Sequence, residues 1–176
     1  MTGRVIRDAS EGIYDDGEWI SWDWINSQLS AQELAQEYPH ADPAIVEIFH
    51  DLVDLAAQYH EATGRYLQIW GELGELYAEV KLGLKRHRPG AAGSDGKIGN
   101  DFVEVKTMSP EKTTPSVEVK RSGNFNKLAV VRISGSFDFE VRVIDRHLLA
   151  KSSKRLSANW DKMQATNGGQ APSSAT

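Results

Sequence analysis

At Pro89-Gly90 the apolar residues of this chain stop recurring every three or four positions and begin to alternate. That change of period constrains the fold more than any other feature, because a helix and a strand bury different sets of side chains from the same spacing. A helical half followed by a strand-rich half predicts a mixed α/β protein. With 176 residues and 40% hydrophobic content the chain can bury one ordinary core, and a second full domain is unnecessary.

Before the switch, residues 1–17 are polar and aperiodic and are expected to form a flexible arm. Trp19, Trp22, Ile25 and Leu29 recur at helical spacing, and Ser30 with Glu33 makes a capping box for a short following helix. Asp42-Pro43 supplies an N-cap acceptor and a proline at the first helical position. From there Ile45, Ile48, Phe49, Leu52, Leu55 and Tyr59 form one stripe of a helix that ends near Thr63-Gly64. The spacing predicts a further helix over 65–84, with Tyr66, Trp70, Leu73, Tyr77, Val80 and Leu84 as its core face. Opposite that face, Gly71, Gly74, Ala78 and Leu82 surround Glu75. Small residues let a helix approach its neighbour closely, which would draw Glu75 inward, whereas Glu72 and Glu79 fall toward a solvated flank.

After the switch, strands are expected around 93–98, 101–107, 116–121, 127–133 and 137–144, arranged mostly as a meander. Leu128 to Ile133 is the most continuously apolar of them. A short helix carrying Leu148 and Leu149 follows, and the tail from Gln164 is expected to be disordered. The organisation read from these patterns is a flexible arm (1–17), a helical N-terminal extension (18–63), an α/β core (64–163) and a disordered tail (164–176).

Charge and composition narrow the function. Net charge is −5, which is unusual for a nucleic-acid binder, but Lys81, Lys85, Arg86, His87, Arg88, Lys106, Lys112, Lys120, Arg121 and Lys127 give the middle of the chain a local positive excess. There is no cysteine, which excludes a disulfide framework and a thiolate zinc site. His40, His50, His60, His87 and His147 form no metal-ligand spacing. The N-terminus lacks the apolar core of a signal peptide, and no apolar run approaches the roughly 20 residues that span a bilayer. A cytoplasmic protein with no membrane partner is expected.

The segment from Gly93 to Lys106 carries the chemistry. A hairpin turning at Gly99-Asn100 places Asp95 on one arm and Glu104 and Lys106 on the other, and the last two, two residues apart on a strand, share a face. Carboxylate oxygens suit a hard cation such as Mg²⁺ or Mn²⁺ beside a phosphate, and a nearby lysine can orient or deprotonate the attacking water. The tetrapeptide Val-Glu-Val-Lys at 103–106 returns at 117–120, so by itself it is an ordinary amphipathic strand. Asp95 ahead of the first copy, and Glu75 on the preceding helix, single that copy out.

Over residues 65–145 this order of a helix glutamate, an aspartate and Glu-x-Lys on the next strand resembles the PD-(D/E)xK nuclease superfamily. Gly71-Glu72-Leu73-Gly74-Glu75 is similar to the Gly-Glu-bearing first helix of such domains, and Asp95, Glu104 and Lys106 match the signature, with Ser94 in the place of its proline. The resemblance implies a restriction-endonuclease-like mixed central sheet flanked by helices, and a DNA endonuclease that hydrolyses phosphodiester bonds. It implies Mg²⁺ or Mn²⁺ held by Asp95, Glu104 and the Val105 carbonyl, with Glu75 completing or extending the site and Lys106 positioning the water. Lys120 and Lys127 would contact the nucleic-acid backbone. The fold also includes catalytically inactive modules that bind nucleic acid or a protein partner, which is the alternative reading. The N-terminal helical region, with its tryptophans, is the candidate surface for a homodimer or a protein partner.

Overall fold

The computed structural model describes residues 10–91 and 93–164. The chain divides into two compact units, one ending at Pro39 and the other beginning at His40. Most of the expected disordered tail, and residues 1–9 of the expected arm, lie outside the described residues.

In the first unit, β1 (Gly12–Asp15) and β2 (Glu18–Ser21) form an antiparallel hairpin that leads into α1 (Trp22–Glu37). This differs from the expected arm and from a helix that includes Trp19. Asp16 and Gly17 both adopt positive φ, the two-residue turn that matches strand twist, and Tyr14 meets Trp19 edge-on across it at 5.5 Å. Ser21 then accepts the Trp24 N–H at 3.2 Å, so α1 starts at Trp22 and runs through Ser30 without the break that a capping box there would require. Trp19, Trp22 and Trp24 are exposed.

The second unit opens with α2 (Pro43–Thr63), whose limits are those expected. Asp42 accepts the Ala44 N–H at 2.9 Å, and Gly64 closes the helix in the left-handed conformation at φ 65°. Its buried face is Val46, Phe49 and Ala56, however, and Ile48, Leu55 and Tyr59 are exposed. The helix holds more apolar residues than one face can bury, and aromatic packing selects among them: Phe49 lies 5.7 Å from Tyr77 and 5.1 Å from Phe139, ring to ring.

Helix α3 (Trp70–Leu82) begins later than expected, with Tyr66 stacked on His60 at 4.1 Å ahead of it. Trp70, Leu73, Tyr77 and Val80 are buried, as the stripe predicts, and so are Gly74 and Ala78 on the small-residue face. A helix buried on both sides must lie between layers.

The strands that follow are β3 (Lys85–Arg86), β4 (Gly96–Ile98), β5 (Asp101–Met108), β6 (Ser116–Lys120), β7 (Lys127–Ile133), β8 (Phe139–Asp145), β9 (Ala150–Lys151) and β10 (Arg155–Asn159). They form a five-stranded sheet in the order β3-β4-β5-β7-β8 and a three-stranded sheet in the order β6-β10-β9. The larger sheet is mixed, since β5 runs parallel to β7 while its other pairs are antiparallel. It is therefore not a meander. Parallel neighbours require a crossover, and β6 makes it by leaving for the second sheet, where Val117 and Val119 pair across from Ala158 and Leu156. Beyond Asp145 the expected helix is a single 3₁₀ turn, Arg146–Leu148, followed by the strands that complete that sheet.

The two faces of the large sheet are covered differently. Thr107 contacts Gly74 of α3, so α3 lies on the face shared by Thr107 and its register partner Val131. On the other face, Leu128, Val130 and Met108 join Val117, Val119, Leu156, Ala158 and Trp160 in one apolar cluster. Helical cover on one face and a second sheet on the other make the unit mixed α/β, with helices flanking one face of the central sheet. Glu104 and Lys106, the register partners of Leu128 and Val130, stand on the face of the second sheet. Among the described residues no helix is long and apolar enough to cross a membrane.

Candidate active site

The site begins where β4 stops. Pairing between β4 and β5 ends at Gly96 and Val103, which leaves the next stretch of β5 without a main-chain partner on that side. Asp95 takes the partner's place: its N–H donates to the Val103 carbonyl at 3.0 Å, and its Oδ2 accepts the Val105 N–H at 2.6 Å. An uncapped amide on a half-buried edge is costly, so the carboxylate is held where the edge requires it. The N–H and C=O of one strand residue point to the same side, so the Val105 carbonyl opens on this edge too.

Lys106 continues the chain of bonds. Its Nζ donates to the Val105 carbonyl at 3.0 Å and to Glu104 Oε1 at 2.6 Å. Asp95, the Val105 peptide, Lys106 and Glu104 thus form one connected group, three of whose members are oxygen donors. The Glu104 side chain is 19% exposed and that of Lys106 36%, so both are partly withdrawn from water and still reachable.

Support comes from behind Asp95. Ser94, the residue before Asp95, is buried. His87 Nδ1 lies 3.1 Å from the Ser94 carbonyl and 3.5 Å from the Ser94 hydroxyl. The His87 main-chain N–H donates to the Asp95 carbonyl at 2.8 Å, and its ring meets Phe102 edge-on at 6.1 Å. These contacts fix the turn that presents Asp95.

Glu75 is half-buried on α3, and its carboxyl is held above the usual glutamate range. Burial is the main cause, followed by the negative charges of Asp95 and Glu72, with Arg86 and Lys106 opposing. The fields of Asp95 and Lys106 therefore reach Glu75, which joins the other residues electrostatically. Arg86 is a residue that sequence reasoning missed. It donates to Glu72 Oε1 and to Glu79 Oε2, each at 2.6 Å; Glu72 is exposed, as expected of a solvated flank, whereas Glu79 is partly withdrawn from water. The available signal was Glu72 and Glu79 seven residues apart on one helical stripe, facing the basic run after the helix.

A cleft of about 730 Å³ opens beside Lys106 and Glu104, lined also by Glu118, Lys120, Asn124 and Arg155. Both copies of Val-Glu-Val-Lys therefore face one cleft, from different sheets. They differ in partners and exposure: Glu118 is an exposed strand residue paired with Arg155 at 3.2 Å, whereas Glu104 is held by Lys106. Lys127 does not line the cleft. It donates to Asp145 Oδ1 at 2.8 Å and lies 3.6 Å from Asp101 Oδ2, and its pKa is raised chiefly by the hydrogen bond to Asp145, against a smaller effect of burial.

Among the described residues no set of three or more Asp, Glu or His side chains is gathered closely enough to hold a metal ion. The oxygen donors linked through the Val105 peptide and Lys106 are the Asp95 and Glu104 carboxylates and the Val105 carbonyl, and oxygen is the ligand a hard divalent cation takes. Two of them already meet at one positive charge, Lys106 Nζ. No protein-family model matches this chain, and no curated protein matches it.

Proposed function

We propose that the protein hydrolyses phosphodiester bonds in nucleic acid, with DNA as the first substrate to test, as a Mg²⁺- or Mn²⁺-dependent endonuclease. The observation that carries this reading is the connected group of Asp95, Val105, Lys106 and Glu104 at a cleft that also holds Lys120. Asp95, Glu104 and the Val105 carbonyl would hold the ion, and Glu75 would extend the site. Such an ion, when bound, polarises the phosphoryl oxygen and lowers the pKa of its water.

The chain's own groups would do the positioning. Lys106 would orient the attacking water and offset the negative charge that builds on the phosphorane. The water oxygen forms a bond to phosphorus as the bond to the leaving alkoxide breaks. One water proton reaches that alkoxide through solvent, and the other becomes the acidic proton of the new phosphomonoester. Lys120, exposed at the end of β6, would hold the flanking backbone as a point charge. The lack of cysteine suits work in a reducing cytoplasm.

Cleavage of plasmid DNA with Mg²⁺ or Mn²⁺, and with the ion chelated, tests the reading. Lys106→Ala is expected to lose turnover, whereas Lys120→Ala is expected to raise KM with little change in kcat. Equal turnover by the wild type and Lys106→Ala would overturn it.

A further inference from the structure

A second cavity, of about 460 Å³, lies on the far side of the 121–126 loop and is lined by Arg121, Phe125, Asn126, Arg146, His147 and Lys151. No carboxylate lines it. Arg146 is fixed in its wall: Nη2 donates to the Arg121 carbonyl at 2.6 Å, and Nη1 donates to the carbonyls of Gly123 at 2.6 Å and Phe125 at 3.1 Å. Its guanidinium also lies 4.6 Å from the Phe125 ring centroid. Carbonyls do not neutralise a guanidinium, so the wall keeps its positive charge. Asp145 feels the charge of His147 but is bonded to Lys127. Arg121 and Lys151 are exposed, and neither side chain makes an ion pair among the described residues. On a chain of net charge −5, a cavity lined by two arginines and a lysine with no carboxylate is a local exception.

The 121–126 loop is a wall of both cavities. Gly123 lines the cleft that holds Glu104 and Lys106, and its carbonyl is the one Arg146 bonds from the other side. Lys120 lines the first cavity and the next residue, Arg121, lines the second. A polyanion that enters one would therefore meet the next cations across this loop. Regularly spaced phosphates on a chain fit such a pair of cavities, and arginine forks and lysine point charges are both suited to holding a phosphate.

We propose that the cavity at Arg121, Arg146, His147 and Lys151 is a subsite for a backbone phosphate of the nucleic acid, away from the scissile bond; this rests on the nuclease reading of the neighbouring cleft. Arg146 forms the rigid floor, and Arg121 and Lys151 close on the phosphate from the surface.

Binding of a short fluorescein-labelled DNA duplex, followed by anisotropy against salt without divalent ion, separates this subsite from catalysis. The parent is the full chain carrying Lys106→Ala, and the test variant adds Arg121→Gln and Lys151→Gln, with thermal melting as the check on folding. The expected result is a loss of affinity of about tenfold and a salt slope reduced by about one, for the one phosphate that the subsite neutralises. If the pair melts early, Lys151→Gln alone is expected to lower both the affinity and the slope by a smaller amount. Unchanged affinity and slope, or no binding by the parent, would overturn the subsite. Polyglutamate that displaces the DNA as well as unlabelled duplex does would overturn it in favour of an acidic protein partner. Wild-type protein that binds DNA through Arg121 and Lys151 but cuts none with Mn²⁺ would overturn the nuclease reading and leave the subsite supported.

Discussion

Gly74 of α3 and Thr107 of β5 meet with no room for a side chain between them. A Cβ at residue 74 would overlap Thr107 Oγ1 and would stand 3.0 Å from Thr107 Cβ and 3.2 Å from Cγ2. The close approach seats α3 on the strand that carries Glu104 and Lys106, and it brings the next helix residue, Glu75, within the field of Asp95 and Lys106. One absent methyl group thus sets the spacing between the helix and the candidate site.

Gly74→Ala is expected to destabilise the fold by about 1–3 kcal/mol, the usual cost of forcing volume into a packed contact. Rotating Thr107 does not clear the overlap, because Cβ and Cγ2 are also tight. In urea unfolding, Thr107→Ala should recover part of the loss when combined with Gly74→Ala. Strictly additive effects of the two changes would show that this contact does not set the spacing.

Glu75 gives a stability prediction with a definite sign. Its carboxyl pKa is raised in the folded protein, first by burial and then by Asp95 and Glu72. The folded state therefore holds this proton more tightly than the unfolded chain does. Stability falls as pH rises from the ordinary glutamate range through the raised value, and the ionised group remains a cost above it. Glu75→Gln should melt higher than wild type at neutral pH by roughly 2 °C, about 0.5 kcal/mol after allowance for partial exposure. The two should converge in acid. A Glu75→Gln protein that melts lower at pH 7 would contradict the assignment of burial as the dominant cause.

Lys127 is placed for stability. Asp145 is held below the usual aspartate range, chiefly by the hydrogen bond from Lys127. The stabilisation is present above the unfolded carboxyl value and is lost as pH falls through the depressed one. Lys127→Gln should cost less than about 1 kcal/mol at neutral pH, because both side chains are partly exposed. The gap should close below about pH 4, and again in strong alkali as Lys127 loses its proton. Denaturant midpoints across that range test it, and a gap that stays constant into acid would contradict it.

Local signals account for what was legible in the sequence. Asp42-Pro43 and Gly64 bound α2 because an N-cap, a first-turn proline and a left-handed glycine each act within a few residues. Alternation in 101–107 marks β5, and the continuous apolar run 128–131 marks β7, whose residues are buried on both faces of the sheet. What escaped depends on distant partners. The move of β6 into a second sheet requires Val117 and Val119 to meet Leu156 and Ala158, nearly 40 positions on, and no local pattern encodes that meeting.

The site divides the same way. The order of Asp95, Glu104 and Lys106 is visible as spacing on a hairpin, but the bond from Val105 N–H to Asp95 exists because β4 ends where it does. In the sequence Arg86 is one cation of a local positive excess, and only the packing of β3 beside α3 reveals its clamp on Glu72 and Glu79. The second Val-Glu-Val-Lys, whose pattern alone is that of an ordinary amphipathic strand, lines the same cleft as the first.

That shared cleft makes one comparison decisive for the claim that the first copy carries the chemistry. Single-turnover cleavage of a labelled DNA duplex with saturating Mn²⁺ should be measured for wild type, Glu104→Gln and Glu118→Gln. The expected result is a loss on the order of a hundredfold or more for Glu104→Gln, with Glu118→Gln within a fewfold of wild type. Full activity in Glu104→Gln, or equal losses in the two variants, would contradict it.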